Sequence, residues 1–313
     1  MGDPLNRRTY LKGVAGGATS ISIASAVSAE DGESASTVQA TDPSKYAPVL
    51  EQAAFTGGAA AENLFRRDLQ VEYKEGSSAN VVTEADRAAQ STAIDTIKRA
   101  YPDATIVGEE KVGEATTSVP QSGLAFVVDP IDGSFNYTRG NGTWCTSVAA
   151  IEDATALAAS TVVPEQDDVY TATPSGVERN GESVTVTDRS DPTTFQVAPT
   201  YWWGFDSRDQ FATAVSEVVR NFNDLRRFGS TQLALTSVAA GEIDATITNV
   251  NNLNPWDTIA GAAMVEWAGG TVTDLNGDDW SYDSHGLVAS NGQAHDLVVE
   301  VTQRVESASE WLS

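Results

Sequence analysis

Cysteine is almost missing from these 313 residues: Cys145 stands alone, which excludes an intrachain disulfide and any zinc site built on cysteines. Histidine occurs twice, at His285 and His295, late in the chain near Gly and Asn, where surface positions are expected. Basic residues are scarce, 19 against 44 acidic ones, giving a formal net charge of -25 at pH 7. Such a surface repels nucleic acid and anionic lipid, so no nucleic-acid partner is expected. The acids are spread along the whole chain, as in proteins from brine, where salt screens their self-repulsion; a halophilic source is expected. What is present in ordinary amount, 41% hydrophobic residues with 25 Gly and 11 Pro, suffices for a large core.

The N-terminal stretch "NRRTYLKGVAGGATSISIASAVSA" has an arginine pair, then a weakly apolar run from 13 to 27 that ends in small residues. That is the layout of a twin-arginine export signal over 1–29, which places the mature protein outside the cytoplasm; a disordered basic N-terminus of a cytoplasmic protein is the alternative. The run is too short and too rich in Gly, Ser and Thr for a stable membrane span. Residues 30–42 read as a polar, disordered spacer.

Apolar spacing predicts a helix over 43–67, loosened at Gly57-Gly58, and a second from about Thr83 to Tyr101. "ATIVGEE" and "LAFVVD" read as strands that end at Glu109 and Asp129, and short alternating segments over 144–151, 160–164, 169–173 and 183–187 as antiparallel strands. Beyond "SDPTT", Phe211, Val215, Val218, Val219 and Phe222 share one helical face, and Ala260, Ala263, Met264 and Trp267 another. The expectation is an α+β protein of two layered sheets flanked by helices, with an N-terminal α+β metal-binding domain over 43–190 and a C-terminal α/β domain over 191–313.

"DPIDGSFNY" follows the apolar run 123–128. A strand ending at Asp129, a turn at Pro130 and a permissive Gly133 let Asp132 swing toward Asp129. Two carboxylates so held repel and require a proton, a base or a cation between them, and Mg²⁺ takes oxygen ligands of this kind. "TEAD" (Thr83 to Asp86) opens a helix and also fits a capping arrangement; "VGEE" supplies Glu109, with Glu110 read as a solvated neighbour; "NPWDTIAG" sets Asp257 at a helix start.

These pieces, with Lys74 ahead of "NVVTEAD", resemble the inositol monophosphatase superfamily of Mg²⁺-dependent, lithium-sensitive phosphatases, over roughly residues 45–300. The resemblance implies a layered αβαβα fold and two or three Mg²⁺ ions, inhibited by Li⁺. It implies Glu109, Asp129, Asp132, Asp257 and the carbonyl of Ile131 as metal ligands, with Asp86 on a further metal-bound water. By the same resemblance Asp86, Ser134 and Glu109 serve catalysis, two close cations clamp the attacking water and the leaving oxygen, and no covalent intermediate forms. Asp132, Gly133, Ser134, Gly229, Ser230 and Asp257 would meet the substrate, an inositol monophosphate or a sugar phosphate such as fructose 1,6-bisphosphate. Asn249, Asn251 and Asn252 replace the acid that inositol-active relatives carry before W-D. A homodimer is a further expectation by analogy. The alternatives are a nucleotide 3'-phosphatase and a silent relative that binds anionic sugars or metal.

Overall fold

The structure is a computed structural model that describes residues 42–67, 71–73, 81–200, 207–248 and 253–310. The signal segment of 1–29, the spacer up to residue 41, Lys74, Asn249, Asn251 and Asn252 lie outside the described residues. The main unit is Pro43–Ser313.

Its first layer is a helix pair, α1 (Ala47–Leu64) and α2 (Glu84–Ala100). A small hairpin, β1 (Val71–Tyr73) with β2 (Val81–Thr83), precedes α2. Both helices bury stripes of small residues, Ala53, Ala54, Gly57, Gly58 and Ala61 on α1 and Ala85, Ala89 and Ala93 on α2. The glycine pair does not loosen α1, contrary to expectation, because it is the contact surface. A Cβ at Gly57 would stand 3.2 Å from the Ala89 carbonyl oxygen, and one at Gly58 3.2 Å from Pro164.

The second layer is a seven-stranded sheet in sequence order: β3 (Thr105–Gly108), β4 (Leu124–Asp132), β5 (Cys145–Glu152), β6 (Thr155–Val163), β7 (Asp168–Thr173), β8 (Gly176–Arg179) and β9 (Glu182–Val184). Only the β3–β4 pair is parallel. Strand β4 is apolar on both faces because both are covered. Phe126 and Val128 pack toward α1 and α2 with Leu50, Ala53 and Ile97. Ala125 and Val127 pack toward the third layer, α5 (Thr231–Ala239) and α6 (Pro255–Trp267), with Leu233, Ala234 and Met264.

The fourth layer is a five-stranded sheet ordered β11 (Asp224–Leu225), β10 (Gln196–Pro199), β12 (Ala245–Ile247), β14 (Val288–Ser290) and β13 (Thr271–Thr273). The fifth is α4 (Arg208–Asn221) with α7 (His295–Glu310), joined to that sheet through Val197, Val218, Val288 and Val301. The two sheets flanked by helices are those expected. On α4 the buried face is Gln210, Ala214 and Val218, so the predicted apolar stripe is rotated and Val219 is 62% exposed. Among the described residues no helix is long and apolar enough to cross a membrane.

Candidate metal and phosphate site

The seven-stranded sheet meets α5 and α6 at the far end of β4, and the site is built there. Residues three apart on a regular strand point to opposite faces. Asp129 pairs with Ser147 and Asp132 with Cys145, so β4 uses three steps where β5 uses two: a β-bulge. The extra residue restores the parity and brings both carboxylates to the α5–α6 face. The strand therefore runs through Pro130 to Asp132 instead of ending at Asp129 in a turn, as the sequence had suggested.

Asp129 and Asp132 are 1% and 7% exposed, and with half-buried Asp257 they place one carboxylate oxygen each within 4.8 Å of one another. These are three of the expected ligands. Asp132 Oδ2 accepts from Ser230 Oγ at 2.6 Å and from the backbone N–H of Gln232, which seats it on the first turn of α5. Burial pushes its carboxyl above the usual range, against the donors from Ser230 and the start of α5 that favour its charge. Asp257 lies in the first turn of α6, where Asn254 Nδ2 donates to its Oδ2 at 2.7 Å.

Asp86 serves two partners. Its Oδ2 accepts from the Thr83 N–H and hydroxyl, both at 2.7 Å, so the capping box is real. Its Oδ1 accepts from Ser134 Oγ at 3.3 Å. Ser134 Oγ also lies 2.9 Å from the Ile131 carbonyl oxygen, its second possible acceptor. The Ile131 side chain is core, packed with Ala85, Ala89, Tyr137 and Trp144.

Glu109 is placed one residue beyond β3, its N–H donating to the Val128 carbonyl at 3.4 Å, and is not part of the three-carboxylate group. Glu110, expected as a solvated neighbour, is 7% exposed. The buried Gln90 amide brackets its peptide, donating to the Glu110 carbonyl and accepting from its N–H at 2.8 Å, which turns this segment inward.

Gly133 adopts φ 97°, and a Cβ there would meet the Thr143 carbonyl oxygen at 3.0 Å and that of Gly229 at 3.3 Å. The bend delivers Ser134 at the start of α3 (Ser134–Thr138). Asn136 Nδ2 donates to the Thr143 and Phe228 carbonyls at 2.7 Å each, fixing the Phe228-Gly229-Ser230 loop against this bend. Gly133, Ser134, Gly229 and Ser230 are thus brought together. Cys145 Sγ stands 4.0 Å from Asp132 Oδ2 and 3.8 Å from Ser230 Oγ, and burial, then the charges of Asp132 and Asp129, hold its thiol protonated.

Gln90, Asn136, Gln232 and Asn254 were not singled out from the sequence. Asn136 and Asn254 stand inside the quoted motifs; Gln90 and Gln232 hold partners 20 or more residues away. His295, expected at the surface, is half-buried between Ser290 and Thr273, whereas His285 is exposed.

The profile of the inositol monophosphatase family matches residues 42–307. The fructose-1,6-bisphosphatase/inositol-1-monophosphatase of Thermotoga maritima is 30% identical over 236 residues, 75% of this chain and 87% of that one. The Nus factor SuhB of Escherichia coli is 32% identical over 225 residues, 71% of this chain and 82% of its own. Among solved structures, a Thermotoga maritima inositol monophosphatase matches with a TM-score of 0.72 at 27% identity, covering 84% of this chain and 96% of that one.

Proposed function

We propose, from the premise that this chain belongs to the inositol monophosphatase family and is a phosphoric monoester hydrolase, that it hydrolyses the phosphate ester of a small polyol or sugar with the help of Mg²⁺. An inositol monophosphate and fructose 1,6-bisphosphate are the substrates in view. The observation that carries this reading is the group Asp129, Asp132 and Asp257 standing beside the Asp86–Ser134 pair.

The donor set suits a hard cation: three carboxylates offer oxygen. Asp129, Asp132 and Asp257 would hold the ion, with Glu109 and the Ile131 carbonyl as adjoining candidates. When bound, Mg²⁺ supplies Lewis acidity that polarises the phosphoryl group and makes a nucleophilic water more acidic.

The protein's own groups do the rest. The Ser134 hydroxyl carries one proton and has two acceptors, Asp86 Oδ1 and the Ile131 carbonyl. With that proton given to Asp86, Ser134 Oγ accepts one from the attacking water, so the pair aligns the water and moves its proton. Three helix starts, those of α2, α5 and α6, carry Asp86, the Asp132 contact and Asp257, and their positive ends favour the anionic ester. The Gly229 loop, pinned by Asn136, forms the polyol side. The arginine pair at 7–8 supports export of the mature chain, which sequencing the N-terminus of secreted protein tests.

Phosphate release from inositol 1-phosphate and fructose 1,6-bisphosphate by the full-length chain in high salt tests the reaction. We expect release that requires Mg²⁺ and vanishes in Asp129→Asn, and a rise in melting temperature with Mg²⁺ that the same substitution removes. Hydrolysis unchanged in Asp129→Asn refutes the site. Mg²⁺ binding by a folded chain that turns over neither ester favours the silent-relative alternative.

A further inference from the structure

We infer that Gln232 is a positioning residue that fixes the separation between Asp132 and Asp257; the inference rests on the reading of those carboxylates as metal ligands. Gln232 is the second residue of α5 and is fully buried. Its backbone N–H donates to Asp132 Oδ2. Its side chain reaches the other way: Nε2 donates to the Trp256 carbonyl at 2.6 Å, and Oε1 accepts from the Gly261 N–H at 2.7 Å. Trp256 immediately precedes Asp257, and Gly261 follows it by about one helical turn. The amide therefore spans the turn of α6 that carries Asp257. One residue grips Asp132 with its main chain and the Asp257 turn with its side chain.

Only a planar amide of this length offers a donor and an acceptor together to the carbonyl and N–H of α6. The approach depends on Gly261, where a Cβ would lie 2.7 Å from Gln232 Oε1 and 2.5 Å from Leu235 Cβ. A contact needed only to pack α5 on α6 is met by an apolar residue, without the desolvation of an amide. Carboxylates gathered around a cation repel one another and must be braced from outside the group. Gln232 braces two of the three from one residue, Asp132 through its backbone N–H and the Asp257 turn through its side chain.

Titration calorimetry of the full-length chain with Mg²⁺ alone tests this in the wild type, Asp129→Asn, Gln232→Met and Gln232→Asn. Methionine keeps the length and volume but neither hydrogen bond; asparagine keeps the amide but is one methylene too short. In both, Mg²⁺ affinity is expected to fall on the order of 10-fold or more, the range seen when a group orienting a metal ligand is lost. The Mg²⁺ concentration for half-maximal turnover should rise in step, with kcat returning toward the wild-type value at saturating Mg²⁺. Melting curves establish that each variant folds, and should Gln232→Met not fold, Gln232→Asn decides. Unchanged Mg²⁺ affinity in a folded Gln232 variant, or a loss of kcat that Mg²⁺ does not restore, overturns the inference. If Asp129→Asn alone loses binding, the metal reading stands and the role of Gln232 falls; if the wild type binds no Mg²⁺, both fall.

Discussion

Asp86 Oδ1 lies 3.3 Å from Ser134 Oγ across 48 residues of sequence, while Asp86 Oδ2 is held by Thr83 at 2.7 Å. One carboxylate thus closes the first turn of α2 and faces the reaction with its other oxygen. Asp86→Asn keeps an acceptor for Thr83 and loses the basic oxygen. We expect kcat to fall about 10²–10⁴-fold, the usual contribution of a positioned acid or base, with little change in melting temperature. Thr83→Ala should do the reverse, losing about 1 kcal/mol of stability with the cap. If Asp86→Asn lowers stability and leaves kcat alone, Asp86 is a cap and nothing more.

At Gly133 the backbone conformation and the space both exclude a side chain, with φ 97° and the Thr143 carbonyl oxygen 3.0 Å from where Cβ would sit. Gly133→Ala is expected to cost about 1–3 kcal/mol in urea unfolding and to abolish turnover, because Asp132 and Ser134 flank the displaced bend. Gly113 is a matched comparison, with φ 59° and open space around it; there the same change should leave turnover intact. Equal effects at both positions would mean that strain alone, and not the close approach, governs Gly133.

His295 opens α7 between two hydroxyls, with Nδ1 2.8 Å from Ser290 Oγ and Nε2 2.9 Å from Thr273 Oγ1. Thr273 donates its own proton to the Asp274 carbonyl, so a neutral ring that donates from Nε2 and accepts at Nδ1 satisfies every group. Burial holds the pKa below its ordinary 6.5, opposed by Asp296, and the positive end of α7 disfavours the cation further. The unfolded chain therefore binds this proton first as pH falls. The contribution of His295 is complete above about 6.5 and is lost as pH drops toward the folded value. Melting temperatures of wild type and His295→Gln between pH 7.5 and 5, a range of about one unit or more on either side of 6.5, should converge on acidification; a constant difference rules out the linkage.

The layers were readable because helix starts, strand runs and turn residues agree along the chain, as in Thr83 capping α2 and the doubly apolar β4. Asp86, Asp129, Asp132 and Asp257 were readable because each sits at a punctuated boundary of an element. The means of bringing two of them to one face was not: a bulge is a register between strands, and Asp129 to Asp132 shows it only against Ser147 and Cys145. The inward turn of Glu110 depends on Gln90, 20 residues away, and the burial of His295 on Thr273, 22 residues away, as well as on nearby Ser290; the two distant partners are not announced near the residues they hold. The glycine pair of α1 misled because low helix propensity at Gly57 and Gly58 is overridden by the close packing that their missing side chains permit.

The contact of Asp132 with the start of α5 joins residues 100 positions apart, and the loop latched by Asn136 joins residues 92 apart. Loops of that length close late, since their chain entropy is lost before the contacts reward it. The helix pair and the β-meander can form from neighbouring segments, but the centre is complete only once α5 and α6 have docked on the first sheet. Refolding followed by helix signal should therefore run ahead of refolding followed by turnover, and nascent chains shorter than residue 257 remain inert however well their first sheet has formed.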